Sequence, residues 1–127
     1  MLTILNMNPH QCDNLVISCI DFRIQDVIHS WLHKKFPHEL YDYVAFAGSV
    51  KNLLSAEKQI EISERLHHIS DVILISHEDC GAYGKEEGIR EKQVEDLKKA
   101  KIHIQKDFPS LTIHLYFLHV SGVFEEI

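Results

Sequence analysis

The sequence predicts an α/β protein: one three-layer domain with a mostly parallel sheet of four strands, flanking helices, and a tail that adds a fifth edge strand or packs on the surface. Three observations carry this expectation. Short β-branched runs alternate with longer segments of helical periodicity. The crossovers between runs exceed a dozen residues, as parallel strands require. The runs are apolar nearly throughout, as in strands covered on both faces. At 127 residues the chain has room for one core and little for a second, so it reads as a single domain, 1–127.

The first strand is Leu15 to Cys19. A helix follows in which Ile24, Val27, Ile28, Trp31, Leu32 and Phe36 recur at three- and four-residue steps, with Pro37 just beyond. Tyr41 to Ala47 reads as the second strand, closed by Gly48, and a second helix runs from roughly Ser55 to His68 with Ile60, Leu66 and Ile69 as core candidates. Asp71 to Ser76 is the third strand. Gly81, Gly84 and Gly88 then punctuate a charged stretch, Lys85 to Lys92. The third helix spans about Glu91 to Asp107, burying Val94, Leu97, Ile104 and Phe108; Pro109 ends it and Thr112 to Leu118 is the fourth strand. Five glycines and three prolines are too few for a many-turned β sandwich.

Composition excludes several classes of function. Apolar residues at 45% and charged residues at 25% rule out wholesale disorder. The apolar runs are too short to cross a bilayer, so no membrane partner is expected. Met1 to Pro9 lacks a basic n-region and a long apolar stretch, so no secretory signal is read and a cytoplasmic address is expected. The 13 basic residues against 19 acidic give a net charge of −6, which repels a phosphate backbone; no nucleic-acid partner is expected. Lys98, Lys99, Lys101 and Lys106 are interleaved with Glu95, Asp96 and Asp107, the pattern of a solvated helix face.

Three cysteines, an odd number without an export signal, favour metal binding or catalysis over a disulfide framework. His29, His33, His67, His68 and His103 lie among charged neighbours and read as ordinary surface or half-buried histidines. Cys12 lies upstream of the first strand, matches no motif and reads as a free structural thiol.

In an open parallel sheet the functional crevice lies beyond the carboxyl ends of the strands, where strand order reverses. That rule singles out Ser18 to Arg23 after the first strand and Ser76 to Gly81 after the third. A catalytic zinc takes three thiolate, imidazole or carboxylate ligands and keeps one open position. Cys19, His77 and Cys80 supply such a set if the two strands are neighbours, and Gly81 would let the backbone come close. Singly, Cys19 reads as a small buried hydrophobe, His77 as a loop histidine, and Asp21 as a helix cap paired with Arg23. Their joint occurrence at two predicted strand ends points to a site.

Cys19-x-Asp21-x-Arg23 followed by His77-x-x-Cys80-Gly81 resembles the signature pair of the β-class carbonic anhydrases, and Ala47-Gly48 resembles their Asn-Ala-Gly stretch. The resemblance implies zinc-dependent, reversible hydration of carbon dioxide to bicarbonate by a zinc-bound hydroxide. It implies Cys19, His77 and Cys80 as zinc ligands, Asp21 and Arg23 as the catalytic dyad, and a homodimer or higher homo-oligomer. The chain departs from the family in three places. Fourteen residues precede the first strand where the family has a helical arm, Ala45-Phe46 replaces Arg-Asn, and Glu78 replaces a small hydroxyl residue. Three alternatives share these residues: a hydrolase of carbon disulfide or carbonyl sulfide, a non-catalytic zinc protein, and an enzyme using Cys19 or Cys80 as a nucleophile activated by Arg23 or His77.

Overall fold

In a computed structural model, which describes residues 10–127, the apolar runs become five strands in the order β2-β1-β3-β4-β5. Met1 to Pro9, on which the expected lack of a secretory signal rested, lies outside the described residues. The strands are β1 (Asn14–Cys19), β2 (Tyr41–Phe46), β3 (Asp71–His77), β4 (Thr112–Leu118) and β5 (Phe124–Glu126). The first four pair in parallel, and the tail turns back so that β5 runs antiparallel to β4. Three helices connect them: α1 (Gln25–Lys35), α2 (Leu53–His67) and α3 (Ile89–Asp107).

Period-two alternation splits the strands between two apolar layers. Leu15, Ile17, Val72 and Leu74 face α2 and α3, where they meet Ile60, Leu97 and Ile104. Val16, Ile73 and Ile75 face α1, where Ile28 and Leu32 cover them. The Trp31 ring stacks on Phe124 at a centroid distance of 4.2 Å, which anchors β5 to the helix on that face.

Local chemistry sets the helix ends. Asn52 caps α2 by accepting from the Ser55 N–H at 3.3 Å, and His68 closes it in a left-handed conformation. Gly88, also left-handed, precedes α3. This helix begins at Ile89, so Arg90 to Lys92 are helical and not part of the preceding loop. Its solvent face carries the interleaved charges, with Lys99 bonded to Glu95 at 2.7 Å. No helix among the described residues is long and apolar enough to cross a membrane.

Three predicted core positions are corrected by helical geometry. In α2 the buried stripe is Ala56, Ile60 and Ser63, and Leu66, six residues past Ile60, points to the other side and is exposed. In α3 the stripe is Gln93, Leu97, Ala100 and Ile104, so Gln93 takes the buried place expected for Val94. In α1 the sheet-facing line runs through Ile28 and Leu32, and Val27 sits a quarter-turn away, exposed.

Leu97→Ala should therefore cost about 2–5 kcal/mol through cavity formation, and Leu66→Ala less than about 0.5 kcal/mol. Urea unfolding of the two variants checks this; equal losses would contradict the placement of the α2 and α3 faces.

Candidate metal centre

Strand register assembles the candidate site. Ile17 on β1 lies beside Leu74 on β3, so two residues further on Cys19 ends level with the end of β3, where His77 is the final strand residue. The turn that follows carries Cys80 back over the strand end. All three side chains are buried. The Cys19 and Cys80 sulfurs are 3.7 Å apart, against roughly 3.8 Å for two Zn–S bonds of about 2.3 Å at a tetrahedral angle. One ligand atom from each of Cys19, His77 and Cys80 lies within 4.8 Å of the others.

The protonation pattern suits a cation. His77 Nδ1–H donates to the Glu78 carbonyl at 2.9 Å, which fixes the ring and aims Nε2 inward. Nε2 is buried with no hydrogen-bond partner, an orphan that a metal would satisfy. Burial alone would raise the Cys19 thiol, yet the adjoining His77 and the Gly48 N–H bring it down to about 7. Burial also opposes a charge on His77, but Cys19 prevails and its pKa is raised. Burial and the negative charge of Cys19 raise the Cys80 thiol. By contrast, burial and the neighbouring Asp42 push the Cys12 thiol up to about 11. The residues present thus fit a zinc ion bound through two sulfurs and one imidazole.

Asp21 and Arg23 stand beside this donor set. The Arg23 guanidinium forks onto the carboxylate, with Nε 3.0 Å from Oδ1 and Nη2 2.6 Å from Oδ2. Those hydrogen bonds hold the Asp21 carboxyl down at about 2. Asp21 also accepts from the Arg23 backbone N–H at 2.9 Å, so the expected cap and the ion pair coexist. Arg23 is tethered to the β3 turn as well: it donates to the Asp79 carboxylate at 3.0 Å and to the Asp79 carbonyl at 2.9 Å. Gln25 locks the segment by donating to the carbonyls of Cys19 and Asp21 at 2.9 and 2.8 Å, while accepting from the Tyr43 hydroxyl.

A cleft of about 220 Å³ opens here, with Arg23, His77, Val27, Leu118 and Val120 in its walls. On the inner side, Ser49, Ser76, Gln93 and Gly48 line the buried surface around the sulfurs. Sequence reasoning missed Asp79, Gln25 and Gln93. Asp79 sits inside the His-x-x-Cys motif and could have been read as an Arg23 partner; Gln25 and Gln93 carry no sequence signal of their own.

The glycine reading is corrected too. Gly81 has open space around its missing Cβ and ordinary φ. Gly48 is the constrained one: φ is 78°, and a Cβ there would lie 3.0 Å from Lys51 Cβ and 3.1 Å from Ala82 Cβ. Its N–H donates to Cys19 Sγ at 3.4 Å.

The chain resembles known proteins over nearly its whole length. A family model described as "Putative carbonic anhydrase" matches residues 9–127. An uncharacterized protein of Rickettsia bellii is 30% identical over 93% of this chain and 83% of its own. One of Rickettsia conorii is 29% identical over 93% and 73%. Among solved structures, a carbonic anhydrase from Glaciozyma antarctica superposes with a TM-score of 0.69 at 18% identity, covering 94% of this chain and 83% of that one. A carbonic anhydrase from Streptococcus mutans gives 0.65 at 15% identity, covering 94% and 85%. A β-carbonic anhydrase from Trichomonas vaginalis gives 0.63 at 15% identity, covering 100% and 87%. At these identities the structural likeness concerns the fold.

Gly48→Ala should destabilise the protein by about 1–3 kcal/mol, since the added methyl meets both positive φ and close neighbours. Gly81→Ala should change stability by less than about 0.5 kcal/mol. Denaturant midpoints of the two variants decide between this assignment and the reverse.

Proposed function

The chain belongs to the family described as "Putative carbonic anhydrase", as a short and divergent member, and from that premise we propose that it is a carbonic anhydrase. The proposed reaction is the zinc-dependent, reversible hydration of carbon dioxide to bicarbonate (carbonate dehydratase, a lyase). The observation that carries this reading is the convergence of Cys19, His77 and Cys80 beside a carboxylate held by Arg23. Cys19, His77 and Cys80 would hold the ion. Zinc, when bound, supplies a Lewis acid that lowers the pKa of a coordinated water to about 7.

The residues of the chain do the rest. Asp21 stays ionised through neutral pH, so it remains a hydrogen-bond acceptor that can orient a proton at the mouth of the site. Arg23 engages both Asp21 oxygens and so keeps the carboxylate out of the donor group. Asp79 fixes the far side of the same guanidinium, so the acceptor rests on two strand ends and not on one loop. Val27, Leu118 and Val120 give the cleft apolar walls suited to a small neutral substrate. The active form would be a homodimer or higher homo-oligomer in the cytoplasm. Phe22, Ile20 and Val120, exposed at the carboxyl edge of the sheet, would be covered by a second subunit. A single domain over 1–127 completes the proposal.

Stopped-flow hydration assays with parallel metal analysis test this reading. Asp21→Ala should keep zinc and lose roughly 10²-fold or more in kcat/KM. Arg23→Ala should also keep zinc and lose turnover, with the Asp21 carboxyl returning toward about 3.9 in a carbon-detected NMR titration of the metal-free protein. Wild-type hydration in both variants would remove the dyad from the mechanism, and a zinc-loaded wild type without hydration would leave a non-catalytic zinc protein.

Zinc retention should fall with pH. Each ligand sheds its proton to bind, so acidification through about 7, where Cys19 regains its proton, weakens the site. Dialysis of the Cys12→Ser variant at pH about 5.5 and about 8, followed by elemental analysis, reads this; equal retention would contradict the thiolate–imidazole ligand set.

A further inference from the structure

We propose that Cys12, Asp42 and His67 form a second zinc site at the amino end of the sheet, independent of the first. The three residues come from the segment before β1, the start of β2 and the last turn of α2, and one ligand atom from each lies within 4.8 Å of the others. Strand alternation explains the meeting: Asp42 shares a β2 face with Val44 and Phe46, which pack toward α2. There it finds Ser63 and His67, which at a spacing of four residues share one helix face. The backbone holds the third member in place, since the Cys12 N–H donates to the His67 carbonyl at 3.1 Å.

The donors are the types that zinc selects: a thiol, an imidazole and a carboxylate. Binding would have to displace the proton that burial and Asp42 hold on the Cys12 thiol; thiolate and carboxylate would then balance a divalent cation, so the half-buried complex would carry no net charge. The carboxylate has the outer support that metal ligands have, because the buried Ser63 hydroxyl donates to Asp42 Oδ2 at 2.5 Å. His67 Nδ1 is 2.7 Å from the same oxygen. Binding would open that pair to roughly 3.3 Å, the span of two bonds of about 2.0 Å at a tetrahedral angle, a shift within the freedom of half-buried side chains. His10 stacks over His67 with ring centroids 6.3 Å apart, a second imidazole next to the site. A hydrogen-bonded Asp–His pair alone requires no thiol at this position. A ligand role for Cys12 departs from its reading as a free structural thiol. Bound metal would staple the segment before β1 to β2 and α2, and with about 20 Å of strand between Cys12 and Cys19 the two sites should load separately.

Metal counting tests the proposal without reference to catalysis. After zinc loading and exhaustive desalting, the wild type should hold two zinc ions per chain, and Cys12→Ser or Asp42→Asn one. The double variant Cys19→Ser/Cys80→Ser leaves Cys12 as the sole thiol. Loaded with cobalt(II), it should bind one ion with a thiolate-to-cobalt charge-transfer band that vanishes when Cys12→Ser is added. Circular dichroism establishes that each variant is folded; if the double variant is not, the wild-type and Cys12→Ser counts decide. A wild-type count unchanged by Cys12→Ser, or a folded double variant without the thiolate band, overturns the second site.

Discussion

Because β1 and β3 pair in parallel with Ile17 beside Leu74, two segments far apart in sequence end at the same edge of the sheet. The chemistry at that edge follows from this pairing. β2 then extends the sheet on one side and β4 on the other, so strand order reverses where β1 meets β3 and the crossovers on the two sides leave a gap. Cys19 and Cys80 reach 3.7 Å because the strands beneath them sit one ladder spacing apart. A β1 shifted by one residue would send Cys19 to the α1 face and Ser18 to the side that faces α2 and α3. Leu15, Val16 and Ile17 are apolar on both faces, so the register is held by the ladders to β2 and β3 rather than by an alternating pattern.

The same pairing brings together charges from two strand ends. Arg23 follows β1 and Asp79 follows β3, and their contact closes the site across the gap. Asp21 and Asp79 on one guanidinium give two carboxylates a shared cation, with Arg23 itself half-exposed and partly hydrated. Isolated surface pairs of this kind contribute little stability. Here the geometric consequence matters more: both oxygens of Asp21 are committed to Arg23, so the carboxylate is held away from the sulfurs.

Much of this was legible in the sequence, for identifiable reasons. Strands covered on both faces announce themselves as apolar runs, so the four parallel strands and their order of appearance could be read. Cys19, His77 and Cys80 stood out through their joint occurrence at two predicted strand ends and through the resemblance of their spacing to a family signature, since each alone reads as an ordinary packing or loop residue. Leu66, Val27 and Val94 were misjudged because hydrophobicity does not settle a residue's angle on the helix; that angle depends on where the helix lies against the sheet. Gln93 was invisible because a buried amide looks like a surface residue in sequence. The cluster of Cys12, Asp42 and His67 was hidden for another reason: its members are scattered over three elements and share no spacing. Only β-alternation at Asp42 and the four-residue step from Ser63 to His67 bring them together.

The proposed ligand types set a further requirement on the carboxyl-end site. Two thiolates donate more charge than imidazoles would, and on charge grounds alone they make a bound cation less acidifying. The surroundings counter this by drawing charge from the sulfurs. The Gly48 N–H donates to Cys19 at 3.4 Å, and the backbone N–H groups of Ala82 and Tyr83 favour the thiolate of Cys80. The left-handed Gly48 is what allows that approach, since a side chain there would press on Lys51 and Ala82. The hydroxyls of Ser49 and Ser76 and the amide of Gln93 are buried around the same surface without hydrogen-bond partners. An apolar lining would have left the sulfur charge undiminished and the thiols harder to ionise. The departure from amphipathic pattern at Gln93 therefore places a buried amide, rather than a hydrocarbon side chain, in the lining around the sulfurs.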